Sequence, residues 1–311
     1  MSRPSHSSTA GHIYLELQKK ARRDGRPTDE YFNVYVLEGF LDRLSRTSFI
    51  KDFVLKGGAL LASYDARRPT RDIDLARLDA QRSVKELFHI IQTIAGTQID
   101  DGLVFDVSAA SVNETREADP SSFGVRISMP AHIDKATITF HIDINVGDPV
   151  VPLPEMISLP RILEGTAEVF GFPIAMIIAE KLVTAIQRGE ANTRWRDFAD
   201  IYNLTGRHEL TSTELRNSIA AVSSYRNLPT DLSLSFIEEF GFDHDVQWKT
   251  WRTTQRLDDV LPEKFAAVTN AISTFAERLL DERGEPLVWN PTSRSWESVK
   301  DSVCSTNETR S

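Results

Sequence analysis

In Arg71-Asp72-Ile73-Asp74-Leu75 two acids alternate with two aliphatic residues. A strand over residues 71–78 sends successive side chains to opposite faces, so Asp72 and Asp74 share one face and Ile73 and Leu75 the other. Two carboxylates held that close repel unless a cation lies between them, and Mg2+ prefers a few carboxylates together with phosphate oxygens and water. A third acid comes from residues 138–146, where Ile138, Phe140, Ile142, Ile144 and Val146 mark one face and His141, Asp143 and Asn145 the other. If the two strands are neighbours, Asp143 joins the pair, and three acids suffice for two divalent ions about 3.5–4 Å apart. Upstream, Lys56-Gly57-Gly58 follows a short apolar run and precedes good helix formers. Glycine there lets the backbone approach a polyphosphate, a following helix offers its first amides, and Lys56 adds a cation, with Arg71 beside them as a further nucleotide contact. A D-x-D pair alone is a common surface-strand pattern. Its combination with the glycine turn and a later lone acid points to metal-assisted chemistry on phosphates.

A second group lies further on. On a helix from 174 to 188, Lys181 shares its face with Ile177, Ile178, Thr184 and Ala185, an apolar setting in which an ammonium needs an anion. Asp197 and Asp200, three apart on the next helix, are candidate partners. Two readings stay open: Lys181 meets a nucleotide phosphate while the acids orient it, or the three form a salt bridge between domains. Arg188, Arg194 and Arg196 are phosphate contacts or a solvated turn. Trp195 reads as core and His141 as a satisfied structural histidine, and no histidine spacing suggests zinc. Asp148, after Gly147, reads as turn chemistry.

These residues need elements to hold them. Helical periodicity covers 13–20 and 31–44, broken by a turn at Asp24-Gly25-Arg26-Pro27. A strand at 53–55, the glycine turn and a helix at 59–64 follow. Strand-like patterns occupy 71–78, 103–107, 125–133 and 136–146, with a helix at 84–94. Pro149, Pro152, Pro154 and Pro160 suit neither a helix interior nor a central strand, so a domain boundary is expected there. Helices are then expected at 174–188, 195–204, 212–223 and 262–280. The fold class is α+β: a domain over 1–160 with its own N-terminal helices, a helical domain over 161–289, and a polar tail over 290–311.

Of the 311 residues 41% are hydrophobic and 26% charged, the balance of a folded protein of up to two domains. The single cysteine, Cys304, excludes an intrachain disulfide and a thiolate zinc site. No apolar stretch is long enough to span a bilayer and the start lacks a signal-peptide core, so a cytoplasmic protein without membrane association is expected. A net charge of −9 argues against affinity resting on phosphate neutralisation. Basic residues nevertheless crowd two places, Lys19, Lys20, Arg22, Arg23 and Arg26, and Arg67, Arg68, Arg71, Arg77 and Arg82, where a local basic face or a solvated one is expected.

The glycine turn, the D-x-D flanked by apolar residues and the later acid together resemble the nucleotidyltransferase superfamily. More narrowly, the sequence resembles the AbiEii/AbiGii toxin family, the nucleotidyltransferase toxins of AbiE-type toxin–antitoxin systems. Leu55 to Leu75, with L-K-G-G-A-L and R-P-T-R-D-I-D-L, carries the match, as do H-I-D-I-N-V-G-D from His141 and the block from Ala179 to Ile201. The last is the most specific, because general nucleotidyltransferases lack it. The resemblance implies an N-terminal polymerase beta-like mixed sheet flanked by helices and a C-terminal helical domain. It implies Mg2+ or Mn2+ held by Asp72, Asp74 and Asp143, and essential roles for Lys181 and for Asp197 or Asp200. It also implies transfer of nucleotides from NTP to the 3' end of tRNA, arresting growth, and a cognate antitoxin, in some members acting by phosphorylating a hydroxyl at the place of Thr70. Two alternatives remain: transfer to a small molecule or a protein, and a catalytically silent nucleotide-binding module.

Overall fold

The computed structural model describes residues 7–67, 70–78, 83–116, 123–189, 192–229, 244–280 and 285–299. The chain forms two compact units, one of residues 1–148 and 154–172, the other of 149–153 and 173–311. Of the residues singled out above, Arg68, Arg82, Cys304 and the end of the tail lie outside the described residues.

The first unit is built on an eight-stranded mixed sheet. Its strands are β1 (Phe53–Lys56), β2 (Asp72–Arg77), β3 (Leu103–Phe105), β4 (Ser111–Arg116), β5 (Phe123–Ile133), β6 (Ala136–Val146), β7 (Glu155–Pro160) and β8 (Thr166–Gly171). They run in the order β3-β5-β6-β2-β1-β8-β7, and β4 also pairs with the long β5. Two pairs are parallel, β2 with β6 and β1 with β8. The alternation read in the sequence is the alternation of burial: Ile73 and Leu75 of β2 and Phe140, Ile142 and Ile144 of β6 are sealed, while Asp72, Asp74, His141, Asp143 and Asn145 stay half-exposed on the other face. Helix α1 (Thr9–Arg23) is capped by Ser8, which accepts from the Gly11 amide at 3.1 Å. Helix α2 (Thr28–Ser45) is buried almost all round, as a helix inside a unit should be. Its polar residues are therefore paired: Arg43 makes two hydrogen bonds to Asp101, at 2.7 and 3.0 Å, and Glu38 accepts from Arg67 and from the Ile162 amide, each at 2.7 Å. Helix α4 (Val84–Ala95) begins with a Ser83/Glu86 capping box.

The segment read as a helix from 59 splits into a short α3 (Gly57–Leu60) and a 3-10 turn (Leu61–Tyr64), ended by Asp65 at φ 53. A larger difference concerns the prolines. The sheet does not stop at residue 160: β7 and β8 form an antiparallel hairpin that returns the chain to β1. Pro160 ends a strand at the sheet's edge, where a missing amide leaves no ladder bond unmade, so proline is tolerated.

The second unit contains α5 (Ile174–Arg188), α6 (Trp195–Thr205), α7 (Ser212–Tyr225), α8 (Asp245–Gln255) and α9 (Phe265–Leu280). Phe265 is buried at its centre, with ring contacts to Trp195, Phe198 and Trp248 at 5.2, 5.2 and 5.0 Å. Trp195 itself is half-buried. Residues 287–298, assigned largely to a loose tail, are instead ordered by tryptophan. Strands β10 (Leu287–Asn290) and β11 (Ser295–Ser298) join β9 (Leu210–Thr211) in a small sheet. Trp289 donates to the Thr205 carbonyl at 2.7 Å and Trp296 to that of Phe275 at 2.9 Å. Large apolar rings with one satisfied N–H outweigh the Ser- and Thr-rich composition around them. Among the described residues no helix is long and apolar enough to cross a membrane.

Candidate active site

Strand register decides which polar side chains meet. Asp74 stands opposite Asp143 on one side and Lys56 on the other, and Asp143 stands opposite Arg126 of β5. Residues directly opposite share a face with Cβ atoms about 4.5–5.5 Å apart. Lys56, Asp74, Asp143 and Arg126 thus form one row across four strands, two acids between two cations. A second row, two residues along, holds Asp72, His141 and Ser128. The three acids expected to converge are on adjacent strands, on one face, within two rows.

Gly57 shows how tightly this row is built. It has φ +68, and a Cβ placed on it would lie 1.9 Å from Oδ2 of Asp74. Only glycine both adopts that backbone and leaves the space into which the Asp74 carboxylate is laid. Gly58 is buried beside it, at the start of α3. Thr70 donates its hydroxyl to the Asp72 carbonyl at 3.2 Å, and Arg71 is exposed just before β2.

Two partners escaped the sequence reading. Asp148, assigned to turn chemistry, receives a short hydrogen bond from Lys56, and both side chains are buried. Lys56 also lies 5.6 Å from the Phe172 ring. The lysine expected to face a nucleotide already has an anion and an aromatic face. Arg126 was not singled out at all. It binds Asp143 with two hydrogen bonds, at 2.7 and 2.5 Å, and stands 3.6 Å from Asp72. The Asp143 hydrogen bonds push the Arg126 guanidinium further above its ordinary value, against the opposing effect of burial. His141 is satisfied by Ser128 at 2.7 Å.

The donor set, three carboxylates and no sulfur, has the hard-oxygen chemistry that Mg2+ or Mn2+ takes. Among the described residues no three His, Cys, Asp or Glu side chains are gathered into a ready cage. Both oxygens of Asp143 are turned to Arg126. The residues fit a divalent ion in donor type, with Asp143 occupied by an internal cation.

In the second unit Lys181 donates to Asp197 at 2.9 Å and to Asp200 at 2.8 Å, and Arg194 pairs with Asp197 at 2.6 Å. All four belong to one unit, so this is no bridge between domains. Burial alone would raise the Asp197 carboxyl, but Lys181 and Arg194 outweigh it and hold it below the usual carboxylate range. Arg188 and Arg196 are exposed. Among the described residues of the two basic clusters, Lys20 and Arg23 face Asp24, Arg26 faces Glu30 and Arg67 faces Glu38. Arg77 is buried, 3.6 Å from Asp52.

The sequence model of the AbiEii nucleotidyl transferase toxins, of type IV toxin–antitoxin systems, matches residues 39–280. The chain belongs to the AbiEii nucleotidyltransferase toxin family. That span takes in the glycine turn, both acid-bearing strands and the Lys181 cluster. By structure the chain is similar to MenT4, a nucleotidyltransferase toxin from Mycobacterium tuberculosis, with 16% identity and a TM-score of 0.54 over 87% of this chain and 94% of that one. It is also matched to JHP933 from Helicobacter pylori, with 15% identity and a TM-score of 0.44 over 96% and 98% of the two chains. At such identity the MenT4 likeness speaks for the fold alone. A search of curated proteins finds no significant match.

Proposed function

We propose that this AbiEii-family toxin transfers a nucleotide from an NTP to the 3' hydroxyl of tRNA, with Mg2+ or Mn2+, and acts in the cytoplasm under a cognate antitoxin. The observation that carries the reading is the in-register row of Asp74 and Asp143 with Asp72 beside it, against a glycine whose missing side chain makes room for Asp74. In the reaction the ribose 3' oxygen forms a bond to the α-phosphorus, the bond to the pyrophosphate oxygen breaks, and the hydroxyl proton passes to solvent. A bound divalent ion would neutralise the polyphosphate and sharpen the attacking oxygen. The three acids would hold it, the Gly57-Gly58 backbone and Arg71 would seat the phosphates, and Lys56, clamped by Asp148, fixes the end of β1 and adds positive potential. No covalent intermediate is needed, because positioning and charge stabilisation carry the rate. The sheet unit supplies this chemistry. Within the helical unit, Lys181 held by Asp197 and Asp200 is the further residue that the family reading makes essential. Phosphorylation of Thr70 would add about −1.5 to −2 charge next to Asp72, where it repels the incoming triphosphate.

A second reading, transfer to a small molecule or a protein, is favoured by the net charge of −9 and by the pairing of Lys20 and Arg26 with nearby acids. Incubation with Mg2+, each labelled NTP and total tRNA separates them. Label on tRNA, absent with Asp74→Asn, supports the proposal. Label on the protein or a small acceptor supports the second reading, and nucleotide binding without transfer leaves a silent module.

A further inference from the structure

The acid row contains a cation that the transfer chemistry above does not use. Arg126 has no role in that account, yet its guanidinium makes two hydrogen bonds to Asp143 and approaches Asp72 to 3.6 Å. The two-residue turn joining β5 to β6 fixes this position, because Ile133 pairs with Ala136 and the register then runs unbroken to Arg126 and Asp143. Three like charges within two rows of one sheet face are unfavourable without a counter-charge, and Arg126 supplies it. A guanidinium is planar and matches a carboxylate with two donors, so it serves as a counter-ion without being lost to solvent. Its side chain is 42% exposed and that of Asp143 only 22%, so the arginine, not the acid, has room to move.

We propose that Arg126 is a resident placeholder cation: it holds Asp72 and Asp143 together in the metal-free enzyme and gives up Asp143 when a divalent ion binds. This rests on the metal-dependent reading above and deepens it, assigning a positioning residue whose pair with Asp143 competes with the metal. Arg126 thereby opposes metal binding while stabilising the empty site. A purely structural arginine would do the reverse, since its loss would loosen the strands and weaken every ligand.

The test uses the full chain and Mn2+ alone, titrated calorimetrically without nucleotide. Arg126→Gln is expected to bind Mn2+ about fivefold more tightly than wild type, the upper end of what a half-exposed pair withholds. Arg126→Lys, which keeps the charge but not the two-pronged geometry, is expected to fall between them. Asp74→Asn is expected to lose binding in either background. Without metal the Gln variant should melt below wild type, and Mn2+ should raise its unfolding temperature by more. Equal or weaker Mn2+ binding by Arg126→Gln, with wild type binding, overturns the inference and leaves the transfer reading standing. No Mn2+ binding by either protein also overturns it, and the metal-dependent reading falls with it only if transfer proceeds in EDTA.

Discussion

Gly57→Ala puts the architecture of the acid row under direct strain. The new methyl would sit 1.9 Å from Oδ2, 2.6 Å from Cγ and 2.9 Å from Cβ of Asp74, all below the 3.0 Å that real Cβ contacts essentially never breach. The carboxylate oxygen must therefore retreat by more than about 1 Å, out of the row it shares with Asp143. A misplacement of about 1 Å in a reacting constellation costs on the order of 100-fold. The backbone adds its own penalty, since φ +68 is a left-handed conformation costing an L-residue roughly 1–2 kcal/mol. Gly165 separates the two effects: it has φ +81 and nothing within 4 Å of its ideal Cβ. Gly165→Ala should lose comparable stability with transfer unchanged, whereas Gly57→Ala should lose about 100-fold in nucleotide transfer at saturating NTP. Rates from labelled-NTP incorporation and midpoints from urea unfolding give both numbers. Transfer by Gly57→Ala within threefold of wild type would refute the claim that Asp74 must lie where the structure has it.

Asp143→Asn should abolish transfer while moving the unfolding midpoint little, because half-exposed ion pairs contribute only about 0–1 kcal/mol, a pattern read by pairing the incorporation assay with urea unfolding. Lys181→Met leaves Asp197 and Asp200 buried without their shared cation and should cost about 3 kcal/mol at pH 7, the low end for a broken buried pair because Arg194 still faces Asp197. In wild type the lowered Asp197 carboxyl contributes stability above 3.8 that is lost as pH falls through its folded value. Removing Lys181 leaves burial to push Asp197 up, so the variant's deficit should shrink on going from pH 7 to pH 5. A deficit that does not change between those two pH values would contradict it. Glu38 has the opposite sign: burial raises its carboxyl despite Arg67, so its contribution is present below 4.5 and lost as pH rises through the folded value. Glu38→Gln should therefore flatten the fall in urea midpoint between pH 4.5 and neutrality, compared directly with wild type.

The acids were legible because β6, and β2 from Asp72 to Leu75, alternate between a buried and a half-exposed face, which sets the direction of Asp72, Asp74 and Asp143. Arg126 was also within reach. Two residues, Asp134 and Lys135, separate the strands, Asp134 has φ 51, and a tight turn of that kind sets the register that puts Arg126 against Asp143. Asp148 could not be found that way, since its pair with Lys56 joins residues 92 apart. The β7–β8 hairpin was hidden by prolines that are unfavourable in a central strand but harmless at an edge. Strands β10 and β11 were hidden by a polar composition in which Trp289 and Trp296 were the informative residues.

Since β2 pairs with β6 and not with its sequence neighbours alone, the row exists only once residue 143 has been synthesised and folded against residue 74. A ribosome-bound chain that has emerged only as far as Thr139 holds the glycine bend and Asp72 and Asp74, yet has no third acid. A product truncated before residue 143, less than half of the chain, therefore lacks one of the three acids on which the proposed chemistry rests.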